Sequence, residues 1–251
     1  AKAYANSVKE SLAQIEREGK KPSAFICESL QGVAGQIIMP DGYLSSVYQQ
    51  VRAAGGVCIA DEVQVGFGRV GTHMWAFETQ GVVPDIVTLG KPIGNGHPMA
   101  AVITTQAIAD AFVTGMEYFN TFGGNPVSCA IGIAVLDVIE QEQLQAHALS
   151  TGTYFQNKPL ELQFRFDLIG DVRGLGLFIG VELVEDRVTK QPATDKTSWL
   201  VEFFKQHQIL LSTEGAFYNI LKIKPPLAFT ETDADKFIKV LELGLTELSK
   251  N

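Results

Sequence analysis

The chain is poor in the residues that mark several protein classes. It has three cysteines in 251 residues, Cys27, Cys58 and Cys129. They are odd in number, dispersed and set in apolar runs, so they read as reduced core residues rather than a disulfide framework. The four histidines stand at no metal-ligand spacing from these cysteines, and no metal site is expected. Basic residues are outnumbered, 20 against 28 acidic ones, and the net charge of −8 argues against a nucleic-acid or anionic-membrane partner. No apolar stretch has membrane-spanning length; residues 127–139 come nearest, but Ser128 and Asp137 interrupt them. Nothing reads as a signal peptide, a repeat or a low-complexity linker, and a cytoplasmic protein is expected.

What is present is an ordinary globular composition, 46% hydrophobic and 19% charged. That suffices for one large domain or two smaller ones. The first residue is Ala1, and it opens an amphipathic helix with Tyr4, Val8, Leu12 and Ile15 on one face and Gly19 as its stop. The chain therefore reads as a segment of a longer protein. Strand-like runs at 24–27, 57–60, 85–89 and 101–104 alternate with helical patterns at 44–51 and 108–112, which predicts βαβ units and a mostly parallel sheet. Asn125 and Pro126 are suited to the N-cap and first position of a long helix reaching about residue 148. Beyond about residue 150 the pattern changes. Strands are expected at 168–172, 177–183, 209–211 and 220–223, with helices over 195–207 and from Thr230, where Thr230 and Asp233 are placed as a capping box. The expected organisation is α/β, with residues 1–150 as the later part of a large domain and 151–251 as a small α+β domain.

Chemistry concentrates at two strand ends. Asp61, in Ala60-Asp61-Glu62-Val63-Gln64, follows one apolar run; Lys91, in Leu89-Gly90-Lys91-Pro92-Ile93-Gly94-Asn95-Gly96-His97-Pro98, follows another. Carboxyl ends of strands are where α/β sheets place ligands. A lysine there can hold an aldehyde as a Schiff base, and an aspartate can keep a pyridine nitrogen protonated. Such a lysine must be neutral to attack, which asks for burial or cationic neighbours. A buried Asp61–Lys91 ion pair is the structural alternative. Thr121-Phe122-Gly123-Gly124-Asn125-Pro126 offers a hydroxyl and successive backbone amides ahead of a helix, suited either to a phosphate or to a plain glycine turn. Glu28 ends a strand on the same edge as Asp61, and Lys222 lies in the later part; either can be a salt-bridge residue or a substrate contact. His97 can be a ligand, a base or a hydrogen-bonded loop residue. Gly66-Phe67-Gly68-Arg69 lacks the strand and helix context of a dinucleotide site.

Asp61-Glu62-Val63-Gln64-Val65-Gly66-Phe67-Gly68-Arg69, the Lys91 loop and the Thr121 motif together resemble the class III (omega) aminotransferase family, which uses pyridoxal phosphate. The resemblance runs from about Pro22 to the C-terminus. It implies a PLP-dependent transferase of fold type I, with Lys91 as the catalytic Schiff-base lysine and Asp61 as partner of the pyridine nitrogen. Val63 is implied on the ring face and Gln64 near the ring hydroxyl. Thr121 is implied to reach the cofactor phosphate of a neighbouring subunit, which makes the enzyme a homodimer with a shared site. Many transaminating relatives have arginine where Lys222 stands, paired with the residue matching Glu28 and receiving a substrate carboxylate. Gly115-Met116-Glu117-Tyr118-Phe119-Asn120-Thr121, the Gly94 to Pro98 motif and Leu221-Lys222-Ile223-Lys224-Pro225-Pro226 are most similar to the ethanolamine-phosphate phospho-lyase branch. The family's cofactor-phosphate loop and ring-stacking aromatic are implied to precede Ala1. The expected activity is amino transfer from a primary amine or amino acid to an oxo acid. The alternatives are phosphate elimination from an amino-alcohol phosphate and a non-catalytic module of a larger protein.

Overall fold

A computed structural model describes residues 1–250. They form two compact units. The first takes Ala1–Ser29, Met39–Phe67 and His73–Gln143; the second takes Leu30–Ile38, Gly68–Thr72 and the chain from Leu144 onward.

The first unit is built on a four-stranded sheet of β1 (Ala24–Glu28), β2 (Val57–Asp61), β3 (Ile86–Leu89) and β4 (Ala101–Thr104), in that spatial order. The β1–β2 and β2–β3 pairs are parallel and β4 is antiparallel to β3. Strand β2 buries alternate residues, Cys58 and Ala60, as a pleated strand with one core face must. Helix α2 (Tyr43–Ala53) lays Leu44, Val47, Tyr48 and Val51 against them, a stripe at spacings of three and four residues. Helix α1 (Lys2–Arg17) completes this core with Ala5, Val8 and Leu12. Tyr4 does not join it and is 65% exposed. The buried stripe starts one residue later than expected, at Ala5.

Helix α3 (Gln106–Phe112) and helix α4 (Pro126–Gln141) close the first unit. The long helix expected to reach about residue 148 is two helices. Gln143 adopts φ +53°, which breaks the hydrogen-bond ladder, and α5 (Leu144–Gln163) starts afresh in the second unit. The polar run Glu140-Gln141-Glu142-Gln143, between Ile139 and Leu144, marks the break in the sequence.

The second unit is an antiparallel sheet in the order β5 (Ile169–Leu175), β6 (Phe178–Asp186), β9 (Ile220–Ile223), β8 (Ser212–Glu214), with β7 (Gln191–Pro192) against β6. Helices α5, α6 (Thr194–Gln206) and α7 (Glu231–Leu248) pack on it. Phe155, Phe204 and Phe237 form the aromatic centre, and Ile179, Val181 and Leu221 come from the strands. The capping box at the start of α7 is present: Asp233 N–H donates to Thr230 Oγ1 at 3.2 Å, and Thr230 N–H donates to Asp233 Oδ2 at 3.0 Å. The strand expected at 209–211 lies one step later, at Ser212–Glu214. Ile209 and Leu211 instead pack on the core as the chain leaves α6, so their hydrophobicity marks burial in a loop.

Two short segments belong to this unit although the sequence places them among the first unit's elements. Arg69 donates to the carbonyls of Leu177 at 3.1 Å and Pro225 at 2.7 Å. Arg173 donates to the carbonyl of Gly35 at 2.6 Å. Among the described residues no helix is long and apolar enough to cross a membrane.

Candidate active site

The parallel register sets the site. Glu28 pairs with Asp61, and Asp61 pairs with Thr88, so the carboxyl ends of β1, β2 and β3 finish level. The two acids and the loop that follows β3 therefore leave one end of one sheet, all within the first unit.

Each side chain there is held. Val63 N–H donates to Asp61 Oδ1 at 2.9 Å, which fixes the carboxylate just beyond its strand. Gln64, 8% exposed, donates through Nε2 to Glu28 Oε1 at 3.0 Å. Val63 turns toward the Lys91 loop: a Cβ placed on Gly90 would meet Val63 Cγ1 at 3.4 Å. Burial pushes the Cys27 thiol up to about 12, with the negative charges of Asp61 and Glu28 adding to the effect. The strand ends are thus an acidic neighbourhood.

Lys91 begins a single 3-10 turn (Lys91–Gly94) with Pro92 second. Its φ is +44°, a conformation that costs a non-glycine residue about 1–3 kcal/mol and recurs at functional sites. Lys91 is exposed among the described residues. The ion-pair alternative is not what the structure holds. Asp61 is engaged by Val63, and among the described residues Lys91 forms no ion pair with it.

Thr121 is exposed and lies within an Asx turn. Asn120 Oδ1 accepts from Phe122 N–H at 3.2 Å and from Gly123 N–H at 2.9 Å. Two of the amides that the motif offered to a phosphate are therefore already engaged. Asn125 is the N-cap of α4, accepting from Ser128 N–H at 3.0 Å. Lys222 lies in the second unit, on β9, where it forms an ion pair with Glu214 of the neighbouring β8. Glu28 and Lys222 thus each have a partner within their own unit. Among the described residues no group of His, Cys, Asp and Glu could hold a metal ion.

One anchor of the site went unread in the sequence. Glu62, beside Asp61, is 1% exposed and accepts from Ala76 N–H and Phe77 N–H, each at 2.9 Å. It caps the first turn of the 3-10 helix Ala76–Gln80. Burial raises its carboxyl above the ordinary range, against the pull of those amides. A second acid next to a candidate functional one is the only hint the sequence carried.

With this geometry in place, comparison with known proteins is specific. The family model described as aminotransferase class-III matches residues 2–245. "Alanine–glyoxylate aminotransferase 2-like" of Drosophila melanogaster is 54% identical over 237 residues, which cover 94% of this chain and 48% of that protein. The mitochondrial alanine–glyoxylate aminotransferase 2 of Homo sapiens is 45% identical over 229 residues, 91% of this chain and 45% of that protein. Among solved structures, a phospholyase from Arthrobacter in complex with phosphoethanolamine superposes with a TM-score of 0.93 at 41% identity. It covers 96% of this chain and 57% of that one. An aminotransferase from Bacillus anthracis gives 0.88 at 32% identity, over 96% and 56%. The chain spans about half the length of the curated relatives it matches.

Proposed function

This chain belongs to the class III aminotransferase family, and on that premise we propose that the protein carrying it is a pyridoxal-phosphate-dependent aminotransferase of fold type I. It would move an amino group from a primary amine or amino acid to an oxo acid. The observation that carries the reading is the shared sheet end: Asp61 held at the end of β2, and Lys91 in a strained turn just past β3. The donor set suits this cofactor, since carboxylate, amine, carboxamide and hydroxyl match a protonated ring nitrogen, an aldehyde, a phenolic oxygen and a phosphate.

When bound, the cofactor supplies an electron sink for the carbon that bears the substrate's amine. Lys91 Nζ would hold its aldehyde and would be the group that carries the proton to or from the substrate carbon bearing the amine. Asp61, steadied by the Val63 amide, would keep the ring nitrogen protonated. Val63 would pack on the ring face and Gln64, steadied by Glu28, would orient the ring oxygen. Thr121 would serve the phosphate of a neighbouring subunit, so we propose a homodimer. Exposure of Phe112, Met116, Tyr118, Phe119 and Phe122 around it supports a covered surface there. Glu28 and Lys222 would contact the substrate. Residues 1–150 would be the later part of the cofactor-binding large domain and residues 151–251 the small domain. Three free thiols suit a reducing compartment, for which we propose the cytoplasm.

A second reading has its own support. Lysine at 222 lacks the two-pronged geometry by which arginine receives a carboxylate, and the Arthrobacter neighbour is a phospholyase. In that case Lys91 would take the same proton and phosphate would leave from the adjacent carbon. The test uses the whole protein with pyridoxal phosphate. Amino transfer from an amine to an oxo acid, with visible cofactor absorbance lost in Lys91→Ala, is the expected result. Inorganic phosphate released from ethanolamine phosphate without any amino transfer would overturn the aminotransferase reading. No cofactor absorbance at all would favour a non-catalytic module.

A further inference from the structure

The Lys91 loop and the Thr121 segment are far apart in sequence, yet one chain of hydrogen bonds joins them inside the first unit. His97 Nε2 lies 2.8 Å from Ser128 Oγ, on the first turn of α4. Ser128 Oγ accepts from Asn125 Nδ2 at 2.9 Å, and Asn125 Nδ2 also donates to the carbonyl of Phe122 at 2.8 Å. Phe122 is the residue after Thr121. At the other end, His97 N–H donates to the Gly94 carbonyl at 2.9 Å, which closes a second turn directly after the Lys91–Gly94 turn. A second contact seats the same loop on the same helix: a Cβ on Gly132 of α4 would lie 2.7 Å from Met99 Cε, so the methionine packs where only a glycine leaves room.

Ser128 Oγ accepts from Asn125 and can still either donate to or accept from His97 Nε2, so the link holds in either tautomer of the imidazole. Such a chain transmits order, because each link is aligned by the next.

We propose that His97 is a positioning residue that makes the ordering of the Lys91 loop and of the Thr121 segment a single event. For the role of Lys91 it rests on the function proposed above. The linkage itself rests only on the contacts just described. Loss of the His97 ring nitrogen frees the Ser128 hydroxyl, lets Asn125 turn away from the Phe122 carbonyl, and loosens both segments together.

The test compares His97→Phe, which keeps a ring without the hydrogen-bonding nitrogen, with His97→Gln, whose amide returns a hydrogen-bonding group near the place of Nε2. Ser128→Ala cuts the same chain from α4 and serves if His97→Phe fails to fold. In cofactor-free whole protein, amide exchange of residues 94–97 and 122–124 should rise together in His97→Phe and Ser128→Ala. The expected rise is about five- to tenfold, the worth of one net hydrogen bond, and it should return near the parent value in His97→Gln. With pyridoxal phosphate, titration by visible absorbance should show cofactor affinity weakened by a similar factor in the first two variants and not in His97→Gln. Unchanged exchange at 122–124 in the Phe and Ala variants, or a Gln variant as loose as the Phe one, would overturn the proposal. The exchange measurement needs no cofactor, so it stands apart from the proposed function. Absence of cofactor absorbance in the parent protein would sink that function and leave the linkage intact.

Discussion

Glu62→Ala should be among the most damaging substitutions near the candidate site without touching any group that reacts. The carboxylate is 1% exposed and holds the N–H groups of Ala76 and Phe77 at 2.9 Å each. Ala76 is fully buried and Phe77 8% exposed, so water cannot easily replace the lost acceptor. Each orphaned buried donor costs about 1–3 kcal/mol. The variant should therefore lose about 2–6 kcal/mol, a large share of the about 5–15 kcal/mol that holds a domain together. Glu62→Gln keeps one acceptor but faces an amide N–H with its own NH2, and should cost about 1–3 kcal/mol. The pH dependence has a definite sign. The folded carboxyl has a raised pKa, so folding favours the protonated form. Stability from this group is fully present below the unfolded value, about 4.3, and is lost as pH rises through the folded value. The Gln variant lacks that loss, so the difference between parent and Glu62→Gln should shrink as pH rises across this window. Urea denaturation at several pH values reads both quantities from the midpoint and slope. A cost below about 1 kcal/mol for Glu62→Ala, or a parent–Gln difference that widens with pH, would refute the account.

Two further outcomes test the packing. Cys58 is pushed up to about 11 by burial, and Cys27 to about 12, so both stay thiols at about pH 8. Neither should react with iodoacetamide until the protein unfolds; labelling of either at the unfolded rate would contradict the burial. Gly71, at φ +77°, would place a Cβ 2.6 Å from the Leu149 Cα, whereas Gly81, at φ +63°, faces open space. Gly71→Ala and Gly81→Ala share a left-handed backbone cost of about 1–2 kcal/mol. Only the first adds a clash, so it should melt clearly lower; equal melting temperatures would show that the segment is not seated on α5.

Most of the site was legible because its residues sit where strands end, and strands announce themselves. The apolar runs before Asp61 and Lys91, and Glu28 at the end of β1, needed only parallel pairing to come level, and parallel pairing follows from βαβ alternation. What stayed hidden depends on individual contacts. The engagement of the Phe122 and Gly123 amides by Asn120 and the His97–Ser128 link have no periodicity. Tyr4 looked buried because its spacing matched the stripe, but the residue that enters the core there is its neighbour Ala5.

The path of the chain through Leu30–Ile38 and Gly68–Thr72 has a practical meaning for anyone who would cut this molecule. A scission near Gln143 looks natural on the linear map, but the piece from Leu144 onward would lack two strips of its own fabric. Arg173 would lose the Gly35 carbonyl, Leu177 and Pro225 would lose the Arg69 guanidinium, and Leu149 the close approach of Gly71. The complementary piece would carry those strips as dangling apolar tags, with Leu30 and Val70, both buried here, turned out to water. The second unit is stitched into the chain rather than appended to it. It cannot be traded between relatives as a cassette, and any chimera must move the two short strips together with the C-terminal stretch.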